Sequence, residues 1–172
     1  MLKAILAALA LSLVALSPAR GESPAPLPPP QGEALLTVTG RIGVRNMGDA
    51  AVFDRDMLSA LPLRGIVTGT VWTEGVSRFR GVPLSAVLDR VGAPRVGTLR
   101  LTALNDYAVE TPIEGLLRHA PSLAMERDGR IMNVRDKGPI WLLFPYDQDE
   151  KWRTERNLTL SIWQLIRIEV LE

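Results

Sequence analysis

The chain of 172 residues has no cysteine, one histidine and only 5% aromatic residues. Without thiols, neither disulfides nor thiolate-bound metal can hold the fold, so it must rest on apolar packing. With His119 as the single imidazole, structural zinc, copper, haem-thiolate and iron–sulfur sites lack their usual ligand sets. No Asp/Asn/Gly string has the spacing of a calcium loop. An excess of charge of one sign is missing too. Lys+Arg 20 against Asp+Glu 19 gives no electrostatic reason to expect nucleic acid or an anionic membrane as partner.

Long apolar runs are absent except at the start. Met1 and Lys3 form a short basic head, Ala4 to Leu16 an apolar run, and Ser17, Pro18 and Ala19 a small-residue cleavage site. This pattern predicts a secretory signal peptide over residues 1–19 and a periplasmic or secreted product. The run is too short for a membrane span of about 20 residues, so no transmembrane segment is expected after processing. Residues 20–33 are rich in proline, which removes backbone donors and favours extended conformations, and they read as a tether. Residues 34–172 are enough for one domain with one core.

Within that domain, β-branched alternation predicts strands at 34–40, 42–44 and 66–71. Asp54 can cap a short helix that Pro62 ends. Leu84, Val87, Leu88 and Val91 recur at helical spacing before Gly92. Strands are predicted at 98–104 and 107–110, joined by Asn105-Asp106. Residues 113–119 suit a helical turn. Asp128-Gly129 marks a hairpin between 123–126 and 130–134. The run 140–144, apolar on both faces, suits a central strand, and 164–171 alternates as a strand with one wet face. Strands outnumber helices in mixed order, which gives an α+β class.

Four motifs in this order resemble one known family. They are Phe79-Arg-Gly-Val-Pro-Leu84 with Leu88 and Gly92, Ala103-Leu-Asn-Asp-Tyr107, Gly138-Pro-Ile-Trp-Leu-Leu-Phe-Pro145, and Trp163-Gln-Leu-Ile-Arg-Ile168. Together they resemble the oxidoreductase molybdopterin-binding domain family, from about Thr37 to the C-terminus. The resemblance implies the sulfite-oxidase fold, a mostly β mixed-sheet domain with a few short helices that cradles a pterin-dithiolene. It also implies a cysteine completing the metal's sulfur ligation in or beside residues 66–71, just ahead of Trp72. This chain has Thr68 and Thr70 there. A hydroxyl is a hard ligand and does not replace a polarisable thiolate. The expectation is therefore a small cysteine-free branch without a cofactor, and the alternative is a molybdopterin oxidoreductase with non-cysteine metal ligation.

Several polar clusters are candidate ligand contacts, and each also fits an ordinary surface role. Asn105, Asp106 and Tyr107 offer an amide, a carboxylate and a phenol at a loop tip. Residues 72–80 read as a loop in which Trp72 could wall a pocket and Arg78 and Arg80 could clamp an anion. Arg135 and Lys137 flank Asp136 at a turn that could form an anion nest. Residues 146–152 could lie across a pocket mouth, while Trp141 and Trp163 read as core. His119 reads as a helix-end residue. No nucleophile motif accompanies it, so no catalytic residue is assigned. The expected function is an exported ligand-binding or sensory-accessory domain. Its partner would be a small anionic ligand or a periplasmic or membrane sensor protein.

Overall fold

The computed structural model describes residues 25–172, so the leader expected at 1–19 lies outside the described residues. The chain runs β1 (Leu36–Gly40), β2 (Ala51–Phe53), α1 (Arg55–Ser59), β3 (Arg64–Gly69), β4 (Val76–Pro83), α2 (Leu84–Arg90), β5 (Thr98–Ala103) and β6 (Ala108–Pro112). It continues through α3 (Ile113–Leu117), β7 (Ser122–Arg127), β8 (Arg130–Ile131), β9 (Trp141–Leu143), α4 (Glu155–Leu160) and β10 (Leu165–Leu171). No described helix is long and apolar enough to cross a membrane.

The strands form two sheets. One has the order β2-β1-β10-β5-β6, and the other runs β3-β4-β7-β8 with β9 paired to β7. Only β1 and β10 pair in parallel in the first sheet; its other pairs are antiparallel. Leu36, Val38, Leu99, Leu101, Ile168 and Val170 point inward and are fully or almost fully buried. Opposite them, the second sheet contributes Ile66, Phe79, Leu123 and the triplet Trp141, Leu142, Leu143. This single apolar interior is what a cysteine-free chain needs. The approach to β10 ties the sheets together, since Leu142 N–H donates to Ile162 O at 2.9 Å and Leu165 N–H to Ile140 O at 3.0 Å.

Local chemistry sets the boundaries. Asp54 caps α1, accepting from Met57 N–H at 2.9 Å, and Pro83 begins α2, whose Leu84, Val87 and Leu88 face the core. Asp128 and Gly129, both at positive φ, turn the β7–β8 hairpin as their sequence predicts. Residues 42–44, expected as strand, are irregular. Gly40 at φ 85° turns the chain, and the N–H groups of Gly43 and Val44 donate instead to Val91 O. Residues 76–80, expected as loop, are the first half of β4. Ser77 and Phe79 point inward while Val76, Arg78 and Arg80 point out. The serine and Gly81 at inward positions mask the hydrophobic alternation.

The described part of the proline-rich segment lies against the domain. Arg90 donates to Ala25 O and Pro26 O at 2.7 and 2.9 Å. Asn46 donates to Pro28 O at 2.7 Å, and the Asp54 carboxylate accepts from the N–H groups of Gln31 and Gly32 at 2.7 and 3.0 Å. Leu27 is buried. The carboxyl of Asp54 is held below its ordinary range, chiefly by the Met57 N–H and then by those of Gly32 and Gln31.

Candidate functional site

Three loops meet at a cleft of about 340 Å³ lined by Trp72, Ala103, Asn105, Tyr107, Leu158, Thr159, Ser161, Ile162 and Trp163. Trp72 comes from the turn after β3, where Thr70 Oγ1 accepts from Trp72 N–H at 3.2 Å and bonds Thr73 Oγ1 at 2.8 Å. Asn105 and Tyr107 come from the β5–β6 tip, where Asn105 Oδ1 accepts from Tyr107 N–H at 3.2 Å. That bond leaves the Asn105 Nδ2 group free to donate. The third wall is the end of α4 and the residues leading into β10.

The walls are mainly aromatic. Trp72 meets Trp141 and Trp163 edge-on, each with centroids 5.8 Å apart, and Trp141 meets Phe79 at 5.6 Å. Each such contact contributes about 0.5–1.5 kcal/mol beyond area burial. Lys137 Nζ stands 4.8 Å from the Trp163 centroid and 5.9 Å from that of Trp141. Among the described residues Lys137 makes no ion pair, whereas Arg80, Arg95, Arg100, Arg127, Lys151 and Arg153 all do.

Three of the five non-glycine residues at positive φ sit around this cleft: Asp106 at 64°, Lys137 at 70° and Gln164 at 53°. The last two are coupled, because Gln164 N–H donates to Lys137 O at 3.1 Å. Left-handed backbone at residues with a Cβ carries a conformational cost and clusters where the surroundings impose it.

Behind the cleft lies a buried polar network. Tyr146 hydroxyl bonds Ser161 Oγ, which donates to Asn157 O at 2.8 Å; Trp141 Nε1 donates to Ser161 O at 3.1 Å. Burial pushes the Tyr146 phenol up to about 12. Asn157 Nδ2 donates to Trp152 O at 2.8 Å, so its Oδ1, 2.8 Å from His119 Nδ1, accepts from the imidazole. His119 is thus a partly buried anchor for α4.

Of the residues singled out from sequence, Trp72, Asn105 and Tyr107 converge, with Lys137 against Trp163. Asp106 occupies the exposed tip without lining the cleft. Arg78 projects from the solvent face of β4. Arg135 is exposed in the turn Val134–Asp136, its N–H donating to Asn133 Oδ1 at 2.8 Å. Trp163, expected in the core, is 37% exposed and forms a wall. Residues 146–152 do not line the cleft either; Tyr146 is core, and Asp147 docks onto β3.

The fold has a solved counterpart. The chain is similar to the sulfane dehydrogenase SoxCD from Paracoccus pantotrophus, with a TM-score of 0.58 and 19% identity over 79% of this chain and 37% of that chain. It spans a little over a third of that protein's length. No family model and no curated protein matches the chain. The α+β, mostly β architecture expected from the sequence motifs is the one found, and the resemblance to the sulfite-oxidase type holds at the level of the fold.

The residues present do not fit the metal-bearing cofactor that the resemblance implies. Thr68 is fully buried; its Oγ1 donates to Gly69 O and accepts from Asp147 N–H, both at 3.2 Å. Asp147 also accepts from Gly69 N–H at 2.6 Å and pairs with Arg153, so the hydroxyl serves a loop anchor. The donor at Gly69, ahead of Arg153, holds the Asp147 carboxyl below its ordinary range. No group of three or more His, Cys, Asp or Glu able to hold a metal occurs among the described residues. The buried polar side-chain atoms without partners, Ser122 Oγ and Trp152 Nε1, belong to residues outside the cleft lining.

Proposed function

We propose that this chain is an exported, non-redox ligand-binding or sensory-accessory domain on a sulfite-oxidase-type fold, taking a small anionic ligand in the tryptophan-walled cleft. One observation carries the reading. At the two threonines that stand where the resemblance calls for a thiolate, the Thr68 hydroxyl is spent on Gly69 O and Asp147 N–H, and the Thr70 hydroxyl on Trp72 N–H and Thr73 Oγ1. A ligand's flat apolar part would lie against Trp72 and Trp163. Its polar edge would meet Asn105 Nδ2, and its charge would lie within reach of Lys137. The mostly apolar lining suits a ligand that buries most of its surface and is oriented by a few polar groups. A periplasmic sensor protein would be the recipient of the signal.

The experiment has two arms. Protein produced with its leader in a cofactor-competent host is assayed for molybdenum and tungsten by mass spectrometry, and sub-stoichiometric amounts are expected. Stoichiometric metal in the intact protein would overturn the non-redox reading. Separately, phenylacetate, a flat aromatic carboxylate that does not absorb at 295 nm, is titrated while tryptophan emission excited at that wavelength is followed. Saturable quenching that weakens about tenfold in Trp163→Ala and Lys137→Ala is expected. Affinity in both variants equal to that of the native chain would remove the cleft as the binding site.

A further inference from the structure

Arg78 lies away from the cleft, and its surroundings differ in kind. β3 is the terminal strand of its sheet, paired on one side only, to β4. The direction of its free groups follows from the neighbours. Arg78 N–H donates to Asp128 Oδ1 at 2.8 Å and Arg78 O accepts from Asp128 N–H at 2.8 Å, so both groups point away from β3. Its partner in register is Val67. Val67↔Arg78 is therefore a non-hydrogen-bonded pair, and the N–H and C=O of Val67 face the open edge. The alternation repeats every second residue, so those of Gly65 face the same way. Gly69 confirms the parity, since its N–H leaves the ladder for Asp147 Oδ2 at 2.6 Å. Gly65 and Val67 have no such cover among the described residues, and both are exposed.

The outer face beside this edge is flat and carries two arginines, Arg78 and Arg80. Gly65 carries no side chain, and a Cβ built there would meet only Phe79 O at 3.9 Å. Val67 and Val76 are 47% and 65% exposed. Arg80 lies in register with Gly65 and pairs with Glu126 at 3.5 Å, while Arg78 makes no ion pair among the described residues. The glycine leaves an open path from the edge to the Arg80 guanidinium. An added strand would lie two strand spacings from β4, roughly 10 Å, a gap that a glutamate and an arginine close together.

We propose that the β3 edge is a strand-addition site for an extended acidic segment of a partner protein. The segment takes up the N–H and C=O groups of Gly65 and Val67 as an added antiparallel strand. Its apolar outward residue packs on Val67, and its carboxylates reach Arg80 and Arg78. Asp147 occupies the Gly69 end and fixes where the added strand stops. An uncovered edge of this length is a pairing template that folded proteins ordinarily block. The site is independent of the cleft and stands or falls without it.

The test uses the blocked peptide Thr-Glu-Thr-Val-Thr-Glu-Thr and its counterpart with both glutamates replaced by lysine. Binding to the full chain is followed by amide hydrogen exchange. The acidic peptide is expected to bind saturably, protect the Gly65 and Val67 amides at least fivefold, and bind at least tenfold more tightly than the lysine peptide. Val67→Pro removes an outward donor that β4 does not use and is expected to abolish that protection. Arg78→Glu with Arg80→Glu is expected to erase the preference for the acidic peptide. Equal affinity for the two peptides, or protection confined to the cleft, would refute the proposal. So would a peptide-free dimer in which the β3 amides are already protected, because the edge would then belong to a second copy of this chain.

Discussion

Replacing Thr68 by valine removes one hydroxyl from a fully buried site with almost no change in shape. The side chain loses its bonds to Gly69 O and Asp147 N–H, both 3.2 Å. At about 1 kcal/mol for each bond, less about 0.8 kcal/mol for the buried methyl gained, the net cost is about 1–2 kcal/mol. For a chain of this size that lowers Tm by about 3–6 °C. Differential scanning calorimetry measures it directly. Hydrogen exchange adds a local readout, because the Asp147 amide loses its acceptor and exchanges faster while the β10 amides do not. Thr68→Ser keeps the hydroxyl and should hold the Asp147 protection, losing stability only through the missing methyl. If Thr68→Val melts within 1 °C of the native chain with Asp147 unchanged, the hydroxyl is not committed to the loop. Its exclusion as a ligand to anything else then fails.

Two glycines in the same sheet should respond in opposite ways. A Cβ at Gly81 would meet Leu123 O at 2.0 Å and Ala124 Cα at 2.6 Å, so Gly81→Ala is expected to lower Tm by 10 °C or more or prevent folding, whereas Gly65→Ala stays within 2 °C; equal losses would show that close strand approach is not the cause. The depressed Asp147 carboxyl contributes stability above its ordinary value of 3.8 and loses it as pH falls through its lower folded value. Melting temperature should therefore drop below about pH 4, and the drop should be smaller in Asp147→Asn. Tyr146, raised to about 12 by burial, should show little phenolate absorbance at pH 11 in a Tyr107→Phe background, and stability should fall between its ordinary value of 10.0 and 12, where the unfolded phenol ionises while the folded one keeps its proton. Absorbance at pH 10 with the fold intact would contradict that burial.

The strands 98–103 and 165–171, the second alternating from Ile168 onward past an irregularity at Leu165–Arg167, were legible because their inward residues are all aliphatic. So was the α2 helix, whose apolar face repeats at the right spacing before a glycine. β4 was hidden: Ser77 and Gly81 occupy inward positions, and the arginines between them read as loop. α4 carried a readable signal in Thr154, whose side chain accepts from Asn157 N–H at 3.2 Å, beyond a stretch taken only as a polar loop. Trp72, Asn105 and Tyr107 were found because turn residues beside aromatics mark loop tips. Trp163 was not, since an indole between apolar residues looks like core until the pairing of the β10 approach with β9 turns it outward. Arg78 and Arg135 share the chemistry of an anion site but not its location, and strand register decides location. That register is long-range information, fixed by pairings between segments far apart in sequence.

Three of the four indoles, Trp72, Trp141 and Trp163, stand within 5.8 Å of a neighbour in the cluster. Chromophores so close exchange excitation and share asymmetric electronic transitions. The cluster is thus a built-in optical gauge, in which a disturbance at the exposed Trp163 is broadcast through Trp72 to the buried ring. Near-ultraviolet dichroism of the unlabelled protein should register occupancy of the cleft without any dye attached.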